Sequence, residues 1–223
     1  AEGSVSWMYF AERVSYLPLG VFGVAMTTVL VPALAHSAQS SNNNAYQTQI
    51  SWGVKGALLI GLPACVTLML LAEPVTTTLF HHGRFSWHDV KQTASALRIL
   101  ACGIPAFMLV KVLNSSFYAK QDTWTPVKYA TMSLVVNIIV ACSTVFWWQH
   151  NAIALAIVAS AYTNVFLLYY GLHMQGIYRL STDACWDLGK IQAAVLPAAL
   201  VYMVDCGDWL EMGTLQKMLT LAG

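Results

Sequence analysis

Residues 129–148 read YATMSLVVNIIVACSTVFWW, twenty residues without one Asp, Glu, Lys or Arg. At 1.5 Å of rise per residue, such a run makes a helix about 30 Å long, the thickness of the hydrocarbon core of a bilayer. Residues 17–34, 56–72 and 152–170 form comparable runs, and 97–110 and 191–204 form shorter ones. Six apolar stretches in one chain predict an all-α fold, a polytopic membrane helix bundle of about six transmembrane helices. Another apolar run opens at Leu221-Ala222-Gly223 and reads as a truncated seventh.

Composition points the same way. Of 223 residues, 57% are hydrophobic and 9% charged, with a mean hydropathy of +0.59. A water-soluble domain so composed has too little polar surface to cover itself. The net charge of +1 gives no basis for a nucleic-acid partner, and the few charges fall mostly between the apolar runs, where water and headgroups solvate them. Cys65, Cys102, Cys142, Cys185 and Cys206 are scattered without ligand spacing and read as small packing residues. The first residue is Ala1, without a signal-peptide pattern, and the chain is expected to be a fragment of a longer protein.

Along the chain, residues 1–16 form an aromatic-rich amphipathic segment leading into the first span, which ends near Pro32 before a polar loop at 37–44. The second span is expected to end at Glu73-Pro74, with one more helical turn at 76–80. Residues 87–96 are expected to lie in the interface ahead of the third span. Pro63 and Pro105 predict kinks rather than breaks, because neighbouring helices re-satisfy the freed carbonyls. The turn at Gln149-His150-Asn151 makes spans four and five antiparallel neighbours. Lys55, Lys111, Lys120, Lys128, Arg179 and Lys190 flank one set of alternating loops. Arg13, Arg84, Lys91, Arg98 and Lys217 flank the other. The excess of one places the first set in the cytoplasm.

Enzymatic motifs are missing. The sequence contains no P-loop, no G-x-S-x-G, no H-E-x-x-H and no carboxylate pair within a span, so it is not expected to be an enzyme. His81, His82 and His88 lack an acid or cysteine that would complete a ligand set, and no metal site is expected. Polar residues in apolar surroundings are the remaining candidates. Arg13, four residues after Tyr9 and on the same helical face, either snorkels to headgroups or faces a cavity as a two-pronged donor for a phosphate. Asn137 and Asn164 either bond to a neighbouring helix or contact an ion or substrate. Lys111 either snorkels or lines a cytoplasmic mouth.

The segments GSVSWMYFAER at 3–13, LPLGVFGVA at 17–25 and LVPAL at 30–34 resemble the eighth transmembrane helix of MurJ/MviN-type lipid II flippases. Leu79-Phe80 with Gly83-Arg84-Phe85, Lys111-Val112-Leu113, and FYAKQDTWTPVK at 117–128 resemble the same family at matching spacings. The resemblance covers essentially the whole chain. It implies the C-terminal lobe of a two-lobe flippase of the multidrug/oligosaccharidyl-lipid/polysaccharide exporter superfamily. Residues 1–190 would supply family helices eight to twelve, and 191–223 helix thirteen and the start of fourteen.

The function so implied is transport of lipid II, the undecaprenyl-pyrophosphate-linked peptidoglycan precursor, by alternating access across the bacterial inner membrane. It implies no cofactor. The implied partners are lipid II, membrane lipid and a missing N-terminal lobe. Arg13 matches the family's cavity arginine and would contact the headgroup, with Tyr9 beside it. Asn137 matches a polar position proposed for ion coupling, and Ala141, one turn later, departs from the polar pattern there. Two other classes stay open: another exporter of the superfamily, carrying polysaccharide repeats or exchanging drugs for cations, and a non-transporting membrane scaffold of cell-wall assembly.

The charge count yields a topology to test. In a cysteine-free background, single cysteines at Asn43, Asp122 and Asp183 should react with an impermeant thiol reagent from the cytoplasmic side only. Cysteines at Ser86, Asn151 and Asp208 should react from the opposite side only. Exchange of the two sets would invert the orientation, and a mixed pattern would remove the six-span count.

Overall fold

The computed structural model describes residues 4–39, 43–80, 85–148 and 150–178. They form α1 (Ser4–Gln39), α2 (Asn43–Leu70), α3 (Ala72–Phe80), α4 (Trp87–Ala119), α5 (Trp124–Trp148) and α6 (His150–Met174). All but α3 are long and apolar enough to cross a membrane. These five are the first five expected spans. The sixth, at 191–204, and the division at residue 190 lie outside the described residues, as do His81, His82 and the truncated seventh run.

Several helices outrun their apolar cores. The amphipathic entry runs into the first span without a break, Ser4–Gln39 being one helix with Pro18 and Pro32 inside it. The third span, only 14 residues by hydropathy, belongs to a helix of 33. Residues 87–96 are its opening turns, continuous with the third span, with Val90, Ala94 and Ala96 buried. Polarity marks where water begins, whereas the helix continues as long as its own backbone bonds are the best available. The second span stops earlier than expected, at Leu70. A bend at Leu71, bridged by Leu71 N–H to Thr67 O at 2.8 Å and Val75 N–H to Leu71 O at 2.9 Å, leads into α3.

α4 is the mast of the bundle. Of its most apolar stretch 61% is buried, against 6% for α5, and α1, α2, α3 and α6 all pack on it. Close approach is possible where side chains are small. A Cβ on Gly61 of α2 would lie 3.1 Å from the Cα of Pro105 on α4, so nothing larger than glycine fits without a shift. α5 packs almost entirely on α6, as the short turn between them requires.

Polar side chains lock both ends. At one end Ser86 and Asp89 form a capping box at the start of α4. The Trp7 indole donates to Asp89 Oδ1 at 2.8 Å, which aligns the starts of α1 and α4. Phe10, Phe80 and Phe85 cluster nearby. At the other end the Tyr46 hydroxyl donates to the carbonyl of Ser116, and Lys120 Nζ lies 5.0 Å over the Tyr46 ring. The loop after α4 turns through Gln121 at φ 61°. Asp122 Oδ1 then accepts from the Thr125 N–H at 3.0 Å in the first turn of α5.

Hydrogen bonds from the Thr125 side chain and backbone hold the Asp122 carboxyl below the usual aspartate range. Asp122→Ala should destabilise the chain by about 1 kcal/mol, the ordinary value of a helix-start cap. A lowered carboxyl pKa stabilises above the unfolded value, about 3.9, and the contribution is lost as pH falls through the lower folded value. The gap in detergent melting temperature between wild type and variant should therefore be full at neutral pH and close below about pH 4.

Candidate functional site

α1 is amphipathic about its bundle contacts rather than about water. Trp7, Ala11, Val14 and Phe22 are buried, while Val5, Tyr9, Arg13, Leu17 and Val21 form an exposed stripe at four-residue spacing. Arg13 lies six residues beyond Trp7, which is about 9 Å along the axis. Its guanidinium carbon sits 5.0 Å from the Tyr9 ring centroid. Helical side chains lean toward the N-terminus, so an i, i+4 pair meets in this way. The structure therefore brings Tyr9 and Arg13 together into one cationic aromatic surface.

The neighbouring acid is engaged elsewhere. Tyr16 donates its hydroxyl to Glu12 Oε1 at 2.9 Å. Among the described residues the ion pair present is Arg98 with Glu73, at 3.3 Å and largely exposed, which is worth roughly 0–1 kcal/mol. Arg13 thus carries a charge that no described carboxylate compensates.

A cleft of about 330 Å³ opens between α1, α4, α5 and α6, with Tyr16, Lys111, Ser133, Ser160 and Asn164 among its lining residues. Lys111 enters it from α4, eight residues and about 12 Å before that helix ends. Its ammonium lies against α1 at Gly23, where a Cβ would come within 2.5 Å of Nζ. Glycine at position 23 makes room for the lysine, which reaches across to α1 beside the cleft. The Asn164 Oδ1 is buried and has no donor among the described residues.

Asn137 plays the part of an interhelical link. Its Nδ2 donates to Ser160 Oγ at 3.3 Å, and Ser160 Oγ donates to the carbonyl of Ile157 at 2.9 Å. Asn137 is therefore one hydrogen bond removed from the cleft. The structure does not place it beside Arg13, because α5 packs on α6 while Arg13 rides the outer face of α1. Ser133 and Ser160 escaped the sequence reading, since a hydroxyl within an apolar run ordinarily bonds its own helix. Only the meeting of four helices shows that they share a cleft with Lys111. Among the described residues no three His, Cys, Asp or Glu side chains cluster.

Comparison with known proteins shows the family and the fold. The family described as "Lipid II flippase MurJ" matches residues 1–210. A probable lipid II flippase MurJ of Vibrio cholerae serotype O1 is 37% identical over 226 residues, covering 99% of this chain and 43% of that protein. The lipid II flippase MurJ of Burkholderia cenocepacia is 36% identical over 215 residues, covering 95% and 41%. A solved structure, "Lipid II flippase MurJ, inward closed conformation", superposes with a TM-score of 0.79 at 25% identity over 92% of this chain and 42% of that one. The chain thus spans about two fifths of the length of the relatives it matches.

The Asn137–Ser160 bond is directly measurable. In a double-mutant cycle with Asn137→Ala and Ser160→Ala, the coupling free energy from detergent unfolding should be about 0.6 kcal/mol, typical of interhelical bonds in membranes. Zero coupling would show that the two side chains act independently.

Proposed function

From the premise that the chain belongs to the MurJ family of lipid II flippases, and is therefore part of a multi-pass membrane transporter rather than a known enzyme class, we propose that it forms one wall of a lipid-linked precursor's path. In the complete protein, residues 1–190 are the C-terminal lobe and 191–223 the additional C-terminal helices. A separate N-terminal lobe closes the path from the other side. The cargo is lipid II, the location is the bacterial inner membrane, and the cycle is alternating access of the two lobes. No bond is made or broken. Transport follows from a difference in affinity of the two open states for the headgroup.

The observation that carries this reading is the exposed Tyr9–Arg13 pair. An arginine about 9 Å beyond the interfacial Trp7, without a described carboxylate and turned away from the α4 core, has a purpose if anionic oxygens pass in front of it. Its planar fork matches a pyrophosphate in two-pronged geometry, and the Tyr9 ring steadies the guanidinium from behind. Asn137, held by Ser160, positions α5 against α6 and in this reading takes part in ion coupling through the lobe's packing. With alanine at position 141, that site has no second polar ligand one turn away.

The experiment belongs in the complete two-lobe protein, with membrane abundance checked by blot. Each charge-assisted hydrogen bond is worth roughly 1.5–3 kcal/mol. Arg13→Ala should accordingly weaken headgroup binding about ten-fold to a hundred-fold and slow translocation of labelled lipid-linked precursor in proteoliposomes. Arg13→Lys, which keeps the charge but loses the fork, should also fail to restore wild-type binding. A snorkelling arginine would instead tolerate lysine without loss. Wild-type translocation by both variants at equal abundance would remove Arg13 from the path.

A further inference from the structure

Three sulfur atoms meet where α2 packs on α4. Cys65 and Met69 stand one helical turn apart on α2 and so project from the same face. Cys102 faces them from α4. The Cys65 thiol donates to Met69 Sδ at 3.8 Å, and the Cys102 thiol donates to the same sulfur at 3.4 Å. Cys65 and Cys102 are both free and partly buried, and Met69, 36% exposed, is where the group reaches the surface.

We infer that Cys65, Met69 and Cys102 form a binding site for a soft monovalent cation of the Cu(I) class. Geometry supports this first. A metal–sulfur bond of about 2.3 Å, the length found for zinc thiolates, sets the corners of a planar trigonal site about 4 Å apart. Met69 Sδ stands 3.8 Å from the Cys65 sulfur, close to that spacing, and 3.4 Å from the Cys102 sulfur, somewhat inside it, so a modest outward rotation of the Cys102 side chain opens room for an ion between them. Donor chemistry supports it second. Soft thiolate and thioether donors suit Cu(I) and zinc, and with no cluster of three His, Cys, Asp or Glu among the described residues, nothing described here completes the tetrahedral set that zinc prefers.

Charge balance is also favourable. One thiol gives up its proton as the metal–sulfur bond forms, and the proton leaves to solvent. The second thiol and the thioether coordinate as neutral donors. A monovalent cation with one thiolate is neutral overall, which avoids stranding a charge in a low-dielectric setting. The α4 side is held in position, because the Tyr162 hydroxyl of α6 donates to the Cys102 carbonyl at 2.8 Å. An ion in the site therefore ties α2 to α4 close to the Gly61–Pro105 contact, replacing a weak thiol–thioether hydrogen bond with metal–sulfur bonds. Linear spacing could not show it, since the ligands come from two helices 37 residues apart and one ligand is a methionine.

The test uses the full chain in detergent, under anaerobic reducing conditions, with Cu(I) supplied through a chromophoric Cu(I) chelator. A background with Cys142, Cys185 and Cys206 replaced by serine should withdraw one equivalent of Cu(I) from the chelator and gain melting temperature on doing so. Loss of a liganding sulfur exceeds the 10–100-fold typical of outer-sphere changes. Cys65→Ser or Cys102→Ser in that background should thus weaken binding by about a hundred-fold or more and abolish the thermal gain. Met69→Leu, a volume-conserving swap that the packing tolerates, should weaken it at least ten-fold with an unchanged metal-free melting temperature. This variant keeps the inference testable if a cysteine variant fails to fold. Undiminished Cu(I) uptake by Met69→Leu or by the Cys65→Ser/Cys102→Ser double variant would overturn the site. So would failure of the triple-serine background to take up any Cu(I), which would leave the sulfurs as a packing contact.

Discussion

A bilayer offers the peptide group no hydrogen-bond partner, and the helical build of the described residues follows from that constraint. In hydrocarbon each unsatisfied N–H or C=O costs several kcal/mol, so apolar runs become helices whatever their propensities, and polar side chains next to those runs are carried along. Pro18, Pro32, Pro63 and Pro105 all lie inside helices. In water each would be expected to end or break one.

Once the helices exist, contact between them is a matter of shape and of a few directed bonds, because lipid tails are as apolar as leucine. α4 takes the centre through its small residues, with Ala94, Ala101, Gly103 and Ala106 buried along it. The directed bonds sit at the ends and in the middle. Trp7 with Asp89 registers one end, Tyr46 with Ser116 the other, and Asn137 with Ser160 joins the outer hairpin. None is large, but each excludes a slide of one helix past the next.

The same economy leaves charge available at chosen places. Glu73 is matched with Arg98 and Glu12 with Tyr16, while Arg13 and Lys111 are left facing an outer stripe and the flank of a cleft. Under the function proposed above, such cations would face the pyrophosphate of a lipid-linked precursor. The sulfur group between α2 and α4 is a separate feature and depends on helix packing rather than on that path.

Hydropathy alone determined the fold class and the positions of the five spans now described, because burying twenty apolar residues in lipid needs no tertiary partner. It also marked Tyr9 and Arg13 as one face, since a four-residue spacing is a local property of a helix. Helix lengths were less legible, because hydropathy marks the apolar core of a helix and not its polar ends, as at 87–96 of α4. Tertiary structure alone decided which helix is central, that Gly23 admits Lys111, that Asn137 spends its donor on Ser160, and that Cys65 and Cys102 meet over Met69. Each of these depends on residues distant in sequence touching across helices. A one-dimensional pattern specifies the face a residue occupies but not the helix that face will meet.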